Sequence, residues 1–176
     1  MKPLRKCIVV NGYPLSGKDA FVSMCRANLE HENIFTRSIS SVDIIKDVAT
    51  IMGWDGKKDS KSRKFLSDLK DLSTEYNDGP TMYMKKSIEN IHKACEQYVI
   101  FLHIREPIEI AKFINLFPES LAVCIHRDES EKHHNNTGDT NIMLYPYQLH
   151  IYNNGTLQDL QKQADYFTEA LQCRSH

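Results

Sequence analysis

One stretch near the N-terminus decides the fold: Cys7-Ile8-Val9-Val10-Asn11-Gly12-Tyr13-Pro14-Leu15-Ser16-Gly17-Lys18-Asp19. Its opening residues form a short apolar run, rich in β-branched side chains, that is typical of a buried parallel strand. Gly12 and Gly17 then give the spacing Gly-x4-Gly-Lys, with Asp19 where Ser or Thr is usual. Apolar side chains recur at helical spacing from Ala20 to Leu29. Strand, glycine loop and helix therefore follow in the order that a phosphate-binding loop requires.

The chemistry of phosphate binding explains these residue types. Glycines let the backbone approach the phosphates closely, Lys18 reaches the β- and γ-phosphates, and the helix adds its N-terminal dipole. The residues expected to hold the nucleotide are Gly12, Tyr13, Pro14, Leu15, Ser16, Gly17, Lys18, Asp19 and Ala20. An ordinary glycine turn in an α/β domain is the alternative, and the flanking strand and helix make it the weaker one.

The composition excludes several classes of protein. The chain has 176 residues, 41% of them hydrophobic, which is enough for one substantial core. Its 22 basic and 23 acidic residues give a net charge of −1, so no overall attraction to nucleic acid or to a membrane surface is expected. No apolar run has the length of a membrane span. Five scattered cysteines without a C-x-x-C pair are typical of reduced residues, which predicts a cytoplasmic location.

Strand-like and helix-like segments alternate along the rest of the chain. The further strands are predicted at Ile34–Ser38, Tyr98–Ile104, Leu121–Ile125 and Gln148–Tyr152. The further helices are predicted at Ile44–Met52, from Phe65 to the break at Asn77-Asp78-Gly79-Pro80, from Met82 to about Gln97, at Pro107–Phe117 and at Leu157–Leu171, the last with Thr156 as its N-cap. About five strands separated mostly by helices predict an α/β fold with a doubly wound parallel sheet.

Polar and charged residues follow several of these strands directly. They are Gly12–Lys18, Ser38–Ser41, Arg105–Glu106 and Arg127. Ligands of doubly wound sheets bind beyond the carboxyl ends of the strands. We therefore expect these residues to converge on one cleft.

Several segments resemble a known group of enzymes. Ser16-Gly17-Lys18-Asp19 resembles the P-loop of phage deoxynucleoside monophosphate kinases and animal-type phosphomevalonate kinases. Ile44-Ile45-Lys46-Asp47 is similar to the start of their substrate-binding helix, and Arg63-Lys64-Phe65-Leu66 to a paired-basic helix start in the phage enzymes. Ile151-Tyr152-Asn153-Asn154-Gly155-Thr156-Leu157 resembles their closing Ile-x-Asn-x-Gly-Ser/Thr-Leu element. The P-loop and the closing element are the specific parts of this resemblance.

The resemblance implies an adenylate-kinase-like enzyme. It predicts one domain over residues 1–176 with a three-layer α/β/α P-loop NTPase fold, an acceptor-binding helical insert at about 40–97 and a short lid at about 126–147. The implied reaction is ATP-dependent phosphorylation, with Mg2+, of a small phosphorylated acceptor such as a nucleoside monophosphate. The resemblance leaves the oligomeric state of the protein open.

Roles for single residues follow from position and from the resemblance. Lys18 would stabilise the migrating phosphoryl group, and Asp19 would order Mg2+ because hard cations prefer oxygen ligands. Arg105 and Arg127 would hold the acceptor phosphate and the charge of the transition state. Asn153 would contact an adenine edge, or would serve only the backbone of its Asn-Asn-Gly turn.

Other readings of the two arginines stay open. Arg105 could instead form a structural ion pair with Glu106 or Glu109. Arg127 could be a solvated loop charge rather than a lid residue.

One departure from the pattern bears on catalysis. In the relatives, the strand that matches Tyr98–Ile104 ends in Asp followed by Thr-Arg, whereas this chain has His103-Ile104-Arg105. A carboxylate that would order magnesium is replaced by an imidazole, although Glu106 lies close in sequence. Two alternatives to a nucleoside monophosphate kinase therefore remain: a phosphomevalonate kinase, and a regulatory nucleotide-binding protein with a decayed site.

Two further groups of residues give weaker signals. Arg63 and Lys64 belong to a charged stretch that is also typical of a solvated helix face. His126, His133 and His134, together with Cys124, suggest a metal site, but their spacing does not match a zinc pattern. A polar lid is the simpler interpretation of that segment.

Overall fold

The centre of the protein is a five-stranded sheet in the order β2-β3-β1-β4-β5, with every neighbouring pair parallel. The structure is a computed structural model and describes residues 3–128 and 141–173. The strands are β1 (Arg5–Gly12), β2 (Phe35–Ser40), β3 (Tyr98–His103), β4 (Leu121–His126) and β5 (Leu149–Tyr152). β1 is central, and its residues Ile8, Val9 and Val10 are fully buried. This confirms the predicted doubly wound α/β sheet.

Helices cover both faces of the sheet. They are α1 (Lys18–His31), α2 (Asp43–Ile51), α3 (Ser60–Asn77), α4 (Gly79–Ala94), α5 (Pro107–Leu116) and α6 (Leu157–Cys173). On one face, α1 and α6 bury an apolar layer that includes a contact between the rings of Phe21 and Phe167. On the other face, α4 and α5 bury Met84, Ile88 and Phe113. The molecule thus has three layers, as the sequence predicted.

The predicted helical insert divides into two unlike parts. α4 packs on the sheet through Met84, Ile88 and Ile91, so it belongs to the core layer. α3 has no buried residue, and α2 buries only Ile45 and Ala49. The segment that stands away from the sheet is therefore α2 with α3.

α3 begins earlier than its apolar pattern indicates. The pattern starts at Phe65, whereas the helix starts at Ser60. Asp59 is the reason, because its side chain accepts a hydrogen bond of 2.7 Å from the backbone N–H of Ser62. α6 begins as predicted: Thr156 and Asp159 form reciprocal side-chain-to-backbone hydrogen bonds around its first turn.

Only part of the predicted lid falls within the described residues. His133 and His134 lie outside them, between residues 128 and 141. The described part contains a 3-10 turn at Ile142–Leu144, anchored by the buried side chains of Ile142 and Tyr147. No helix among the described residues is long and apolar enough to cross a membrane.

Candidate active site

The loop between β1 and α1 has two positions at which only glycine fits. Gly12 has φ 149° and Gly17 has φ 91°, in the region that residues with a Cβ rarely adopt. A Cβ on Gly12 would collide with the carbonyl oxygen of Ile125 and lie 2.7 Å from Ser16 Oγ. A Cβ on Gly17 would collide with the side-chain amide of Asn153. The two glycines therefore let the loop pack closely against Ile125 and Asn153, and the close approach of its backbone to a phosphate stays a prediction.

The loop is closed by two hydrogen bonds to one of its own backbone carbonyl groups. The N–H of Ser16 donates to the carbonyl of Tyr13 at 3.1 Å, and Lys18 Nζ donates to the same carbonyl at 3.3 Å. The first helical hydrogen bond is made by the N–H of Phe21 to Gly17, at 2.9 Å. The N–H groups of Lys18, Asp19 and Ala20 precede that bond, so they have no acceptor within the helix. Together with the Lys18 ammonium they offer donors to an anion at the start of α1.

Within the loop, the described residues differ in exposure. Ser16 is fully buried, and its Oγ has no hydrogen-bond partner among the described residues. Tyr13 is buried against the α4–α5 layer, whereas Pro14 and Leu15 form the exposed tip. Asp19 is exposed at the first turn of α1. Its carboxylate is therefore open to a solvated cation.

Asn11 belongs to the site, although its position before Gly12 in the sequence predicts no role for it. Its side-chain amide donates to the carbonyl of Arg105 at 2.9 Å and to Tyr147 Oη at 2.8 Å, and its Oδ1 accepts from the N–H of Gly12. Asn11 is itself 1% exposed. Burial raises the pKa of Tyr147 above its usual range, so the phenol stays protonated. This buried network fixes the ends of β1 and β3 relative to each other.

Asn153 supports the loop from behind. Its Nδ2 donates to the carbonyl of Ser16 at 2.9 Å, and its backbone N–H donates to the carbonyl of His126 at 2.8 Å. The side chain is buried at 8% exposure. The amide nitrogen is thus engaged with the loop itself, and the predicted contact with an adenine edge stays a prediction.

His103 takes the position where an aspartate was expected, at the end of β3. Its pKa is lowered, chiefly because burial disfavours the charged ring and secondly by Lys18, while Asp19 and Asp43 oppose the shift. The imidazole therefore lies within the electrostatic field of the loop. Asp43 was not singled out by the sequence; it opens α2, and its carboxylate accepts from the N–H of Ser40 at 2.7 Å.

The two predicted arginines lie at the same edge of the sheet as the loop. Arg105 follows β3 by two residues and Arg127 follows β4 directly, and both side chains are exposed. Glu109, one alternative partner for Arg105, forms an ion pair with Lys70 at 2.7 Å. The parallel strands therefore place Arg105 and Arg127 at the edge of the sheet where the loop lies, and the convergence of their guanidinium groups on one cleft stays a prediction.

Unlike Arg105 and Arg127, the charged residues at the start of α3 do not follow a strand of the sheet. Lys64 pairs with Asp68 at 2.7 Å on the exposed face of the helix. Arg63 is also exposed. A surface pair of this kind is ordinary for a solvated helix, which was the alternative reading for Lys64.

The residues present fit a nucleotide and a hard cation. The turn packs so closely against Ile125 and Asn153 that neither Gly12 nor Gly17 can carry a Cβ, and it leaves the backbone N–H groups at the start of α1 as donors for phosphate oxygens. Lys18 and the helix N-terminus supply positive potential, and Asp19 supplies an exposed carboxylate oxygen of the kind that Mg2+ prefers.

Comparison with known proteins bears on the fold. No protein-family profile and no curated protein matches the chain. Among solved structures, a Chloroflexus aurantiacus protein proposed to be a kinase superposes with a TM-score of 0.54 at 9% identity, covering 97% of this chain and 99% of its own. The protein APE1195 superposes with a TM-score of 0.51 at 12% identity, covering 100% and 99%.

A third similar structure is the Mycobacterium tuberculosis APS kinase in complex with AMPPNP and APS. Its TM-score is 0.49 at 13% identity, with 97% of this chain and 99% of that chain covered. At such low identity, likeness concerns the backbone alone. The superpositions on the Chloroflexus aurantiacus protein and on APE1195 show that the chain shares their α/β fold, which here is a five-stranded parallel sheet with helices on both faces.

Proposed function

We propose that the protein is an ATP-dependent phosphotransferase that acts, with Mg2+, on a small phosphorylated acceptor, a nucleoside monophosphate. The observation that carries this proposal is the loop between β1 and α1, which brings two positive-φ glycines, the Lys18 ammonium and the N-terminus of α1 together within one short turn. Phosphoryl transfer asks a protein mainly for positioning and for cations around a spreading negative charge. The loop meets both requirements.

In the proposed reaction an oxygen of the acceptor phosphate attacks the γ-phosphorus of ATP. The bond between that phosphorus and the β,γ-bridging oxygen breaks, and ADP leaves with the electron pair. Lys18 and the N–H groups at the start of α1 stabilise the charge on the γ-phosphoryl oxygens. Arg105 and Arg127 hold the acceptor and the transferred group, and Asp19 would hold Mg2+, which would supply positive charge to the phosphates.

A phosphorylated acceptor suits the residue at position 103. A phosphate monoester is already mostly anionic at neutral pH, so its oxygen attacks without surrendering a proton to a base. The burial that lowers the pKa of His103 keeps this imidazole neutral. The acceptor therefore needs no general base at position 103, and the carboxylate for Mg2+ would come from Asp19.

The same residue favours the second candidate, a nucleotide-binding regulatory protein. With His103 in place of the aspartate of the kinases it resembles, the chain would bind ATP or ADP without turnover. Phosphomevalonate is the alternative acceptor of the same reaction class, because the P-loop with Asp19 also resembles that of phosphomevalonate kinases.

A coupled kinase assay across nucleoside monophosphates and phosphomevalonate tests the proposal, with calorimetry of ATP–Mg2+ binding in parallel. We expect turnover of at least one nucleoside monophosphate. Lys18→Ala should lower turnover by about a hundredfold or more, the cost of removing a transition-state cation. Lys93→Ala, in the exposed last turn of α4 at the opposite edge of the sheet, is the matched control and should leave turnover unchanged.

The outcomes separate the candidates. Tight ATP binding with no turnover of any acceptor would favour the regulatory protein. Turnover of phosphomevalonate alone would show that the acceptor is phosphomevalonate and not a nucleoside monophosphate. Nucleotide affinity that is equal in wild type and Lys18→Ala would contradict a phosphate-binding role for the loop.

The magnesium role has its own variants. Asp19→Ala should reduce turnover strongly and leave metal-free nucleotide binding nearly intact. Asp19→Ser should retain part of the activity, because the hydroxyl that is common at this position of P-loops ligates Mg2+. Full activity of Asp19→Ala would show that the carboxylate is dispensable.

A further inference from the structure

A second cluster of chemically active side chains lies between β4 and β5, on the face of the sheet opposite to α1 and α6. Cys124 and His126 alternate along β4, so both project from this face. The strand pairing sets His150 of β5 directly beside Cys124. The ligand atoms of the three residues all lie within 4.8 Å of one another.

The surroundings hold these side chains in place. His126 Nε2 and His150 Nδ1 hydrogen-bond each other at 2.8 Å, so the two nitrogens already face one another, and a metal ion bound by both would replace this hydrogen bond. Tyr152 stacks on His126 with ring centroids 4.9 Å apart and an angle of 20°, and Tyr147 meets His150 edge-on at 6.0 Å. Cys124 and His126 are buried, whereas His150 is exposed. Cys124 and His126 are held inside the protein, whereas His150 is open to solvent, so a metal ion would enter the site from the side of His150.

The donor set selects a class of metal. One thiolate and two imidazoles are typical ligands of Zn2+ and of neighbouring transition metals, and they do not suit Mg2+ or Ca2+. Two imidazole nitrogens on a tetrahedral Zn2+ lie about 3.3 Å apart, so the observed 2.8 Å pair needs to open by only about 0.5 Å. Three protein ligands leave the fourth position to water, as in open zinc sites.

We propose that Cys124, His126 and His150 form a binding site for a zinc-class divalent metal ion, bridging β4 and β5. The sequence favoured no metal here because it grouped His126 with His133 and His134, which follow it closely in the chain. The structure instead brings His150 to Cys124 across a strand pair. This site adjoins the proposed nucleotide site, since Tyr147 contacts both Asn11 and His150, but it uses none of the residues proposed to bind nucleotide, and its test does not depend on phosphotransferase activity.

Titration of the reduced, metal-free protein with Co2+ and with Zn2+ tests the proposal. We expect one ion per chain to bind at micromolar or lower concentration. With Co2+, visible bands of a tetrahedral site and a thiolate-to-metal charge-transfer band should appear. Cys124→Ser should abolish the charge-transfer band, and His150→Gln should weaken binding at least tenfold. His150 is exposed, so its variant retains the core even if Cys124→Ser folds poorly.

Matched controls use a histidine and a cysteine remote from the cluster. His31→Gln, at the end of α1, and Cys173→Ser, at the end of α6, alter exposed side chains and should bind the metal as wild type does. Zn2+ should also raise the thermal midpoint of wild type and of both controls more than that of His150→Gln. A wild type that binds no ion at micromolar concentration would overturn the proposal. Affinity that is unchanged in both Cys124→Ser and His150→Gln would overturn it as well, by placing the metal elsewhere.

Discussion

The loop between β1 and α1 and the α2–α3 segment both follow a strand at the same edge of the sheet, yet they are built differently. The loop is held by buried groups: Asn11 fixes its start and Asn153 its far side. α3 has no buried residue, and its described charges pair on its surface or with α5. The comparison teaches that the proposed donor site is fixed by close packing, whereas the segment expected to meet the acceptor is held by few contacts.

Substitution of Gly17 tests whether close packing of the loop is what fixes the proposed nucleotide site. Gly17→Ala places a Cβ against the Asn153 amide at a backbone φ of 91°, so we expect nucleotide affinity to fall about a hundredfold or more, through strain and collision together. Calorimetry with ATP–Mg2+ measures this effect. Gly56→Ala is the matched control, because Gly56 has φ 85° and open space around it. It should cost about 1–2 kcal/mol of stability and leave affinity unchanged. Equal affinities in the two variants would show that the packing around Gly17 is irrelevant.

The acceptor side is tested by Arg105→Lys. Lysine keeps the charge but lacks the planar fork that binds a phosphate through two hydrogen bonds, so we expect the acceptor KM to rise or kcat to fall about tenfold. ATP affinity should change little. Arg5→Lys, at the exposed start of β1 on the opposite edge of the sheet, should change neither constant. Steady-state kinetics with the acceptor varied at saturating ATP gives the comparison, and a fall in ATP affinity alone would move Arg105 to the donor side.

The support of the loop from behind is tested by Asn153→Ala. It removes one buried hydrogen bond to the Ser16 carbonyl, worth about 1 kcal/mol, so nucleotide affinity should fall about fivefold. Asn154→Ala is the control, since Asn154 is exposed and hydrogen-bonds Asp128 instead. If Asn153→Ala discriminates ATP from GTP differently from wild type, the residue contacts the base as well as the loop.

The smallest expected effect concerns acid stability. Burial lowers the pKa of His103 below 6.5, so the folded protein binds fewer protons at this ring than the unfolded chain does. The stability that the neutral ring contributes is full above pH 6.5 and is lost as the pH falls below that value. His103→Gln should therefore show a shallower loss of unfolding free energy between pH 7 and pH 5, by at most about 1.4 kcal/mol per pH unit. Denaturant unfolding of both proteins measures the difference, and equal slopes would contradict the burial of the ring.

Local patterns along the chain sufficed for the sheet and for the loop. Apolar runs placed the strands because the central strands of a parallel sheet are buried on both faces. The start of α3 was missed because the cap at Asp59 acts through one hydrogen bond and leaves no apolar signal. The α4 helix was grouped with the insert because its apolar stripe does not reveal which layer it packs against.

The sequence by itself determined the residues whose role rests on neighbours in the chain. Gly12, Gly17 and Lys18 lie within one turn and one strand end, so their spacing carries their geometry. Tertiary structure alone decided which residues far apart in the chain meet. Asn153 hydrogen-bonds Ser16 across 137 positions, and His150 contacts His126 across 24. Such contacts depend on the order and register of the strands, which are set by the packing of the whole core. A local pattern contains no record of that packing.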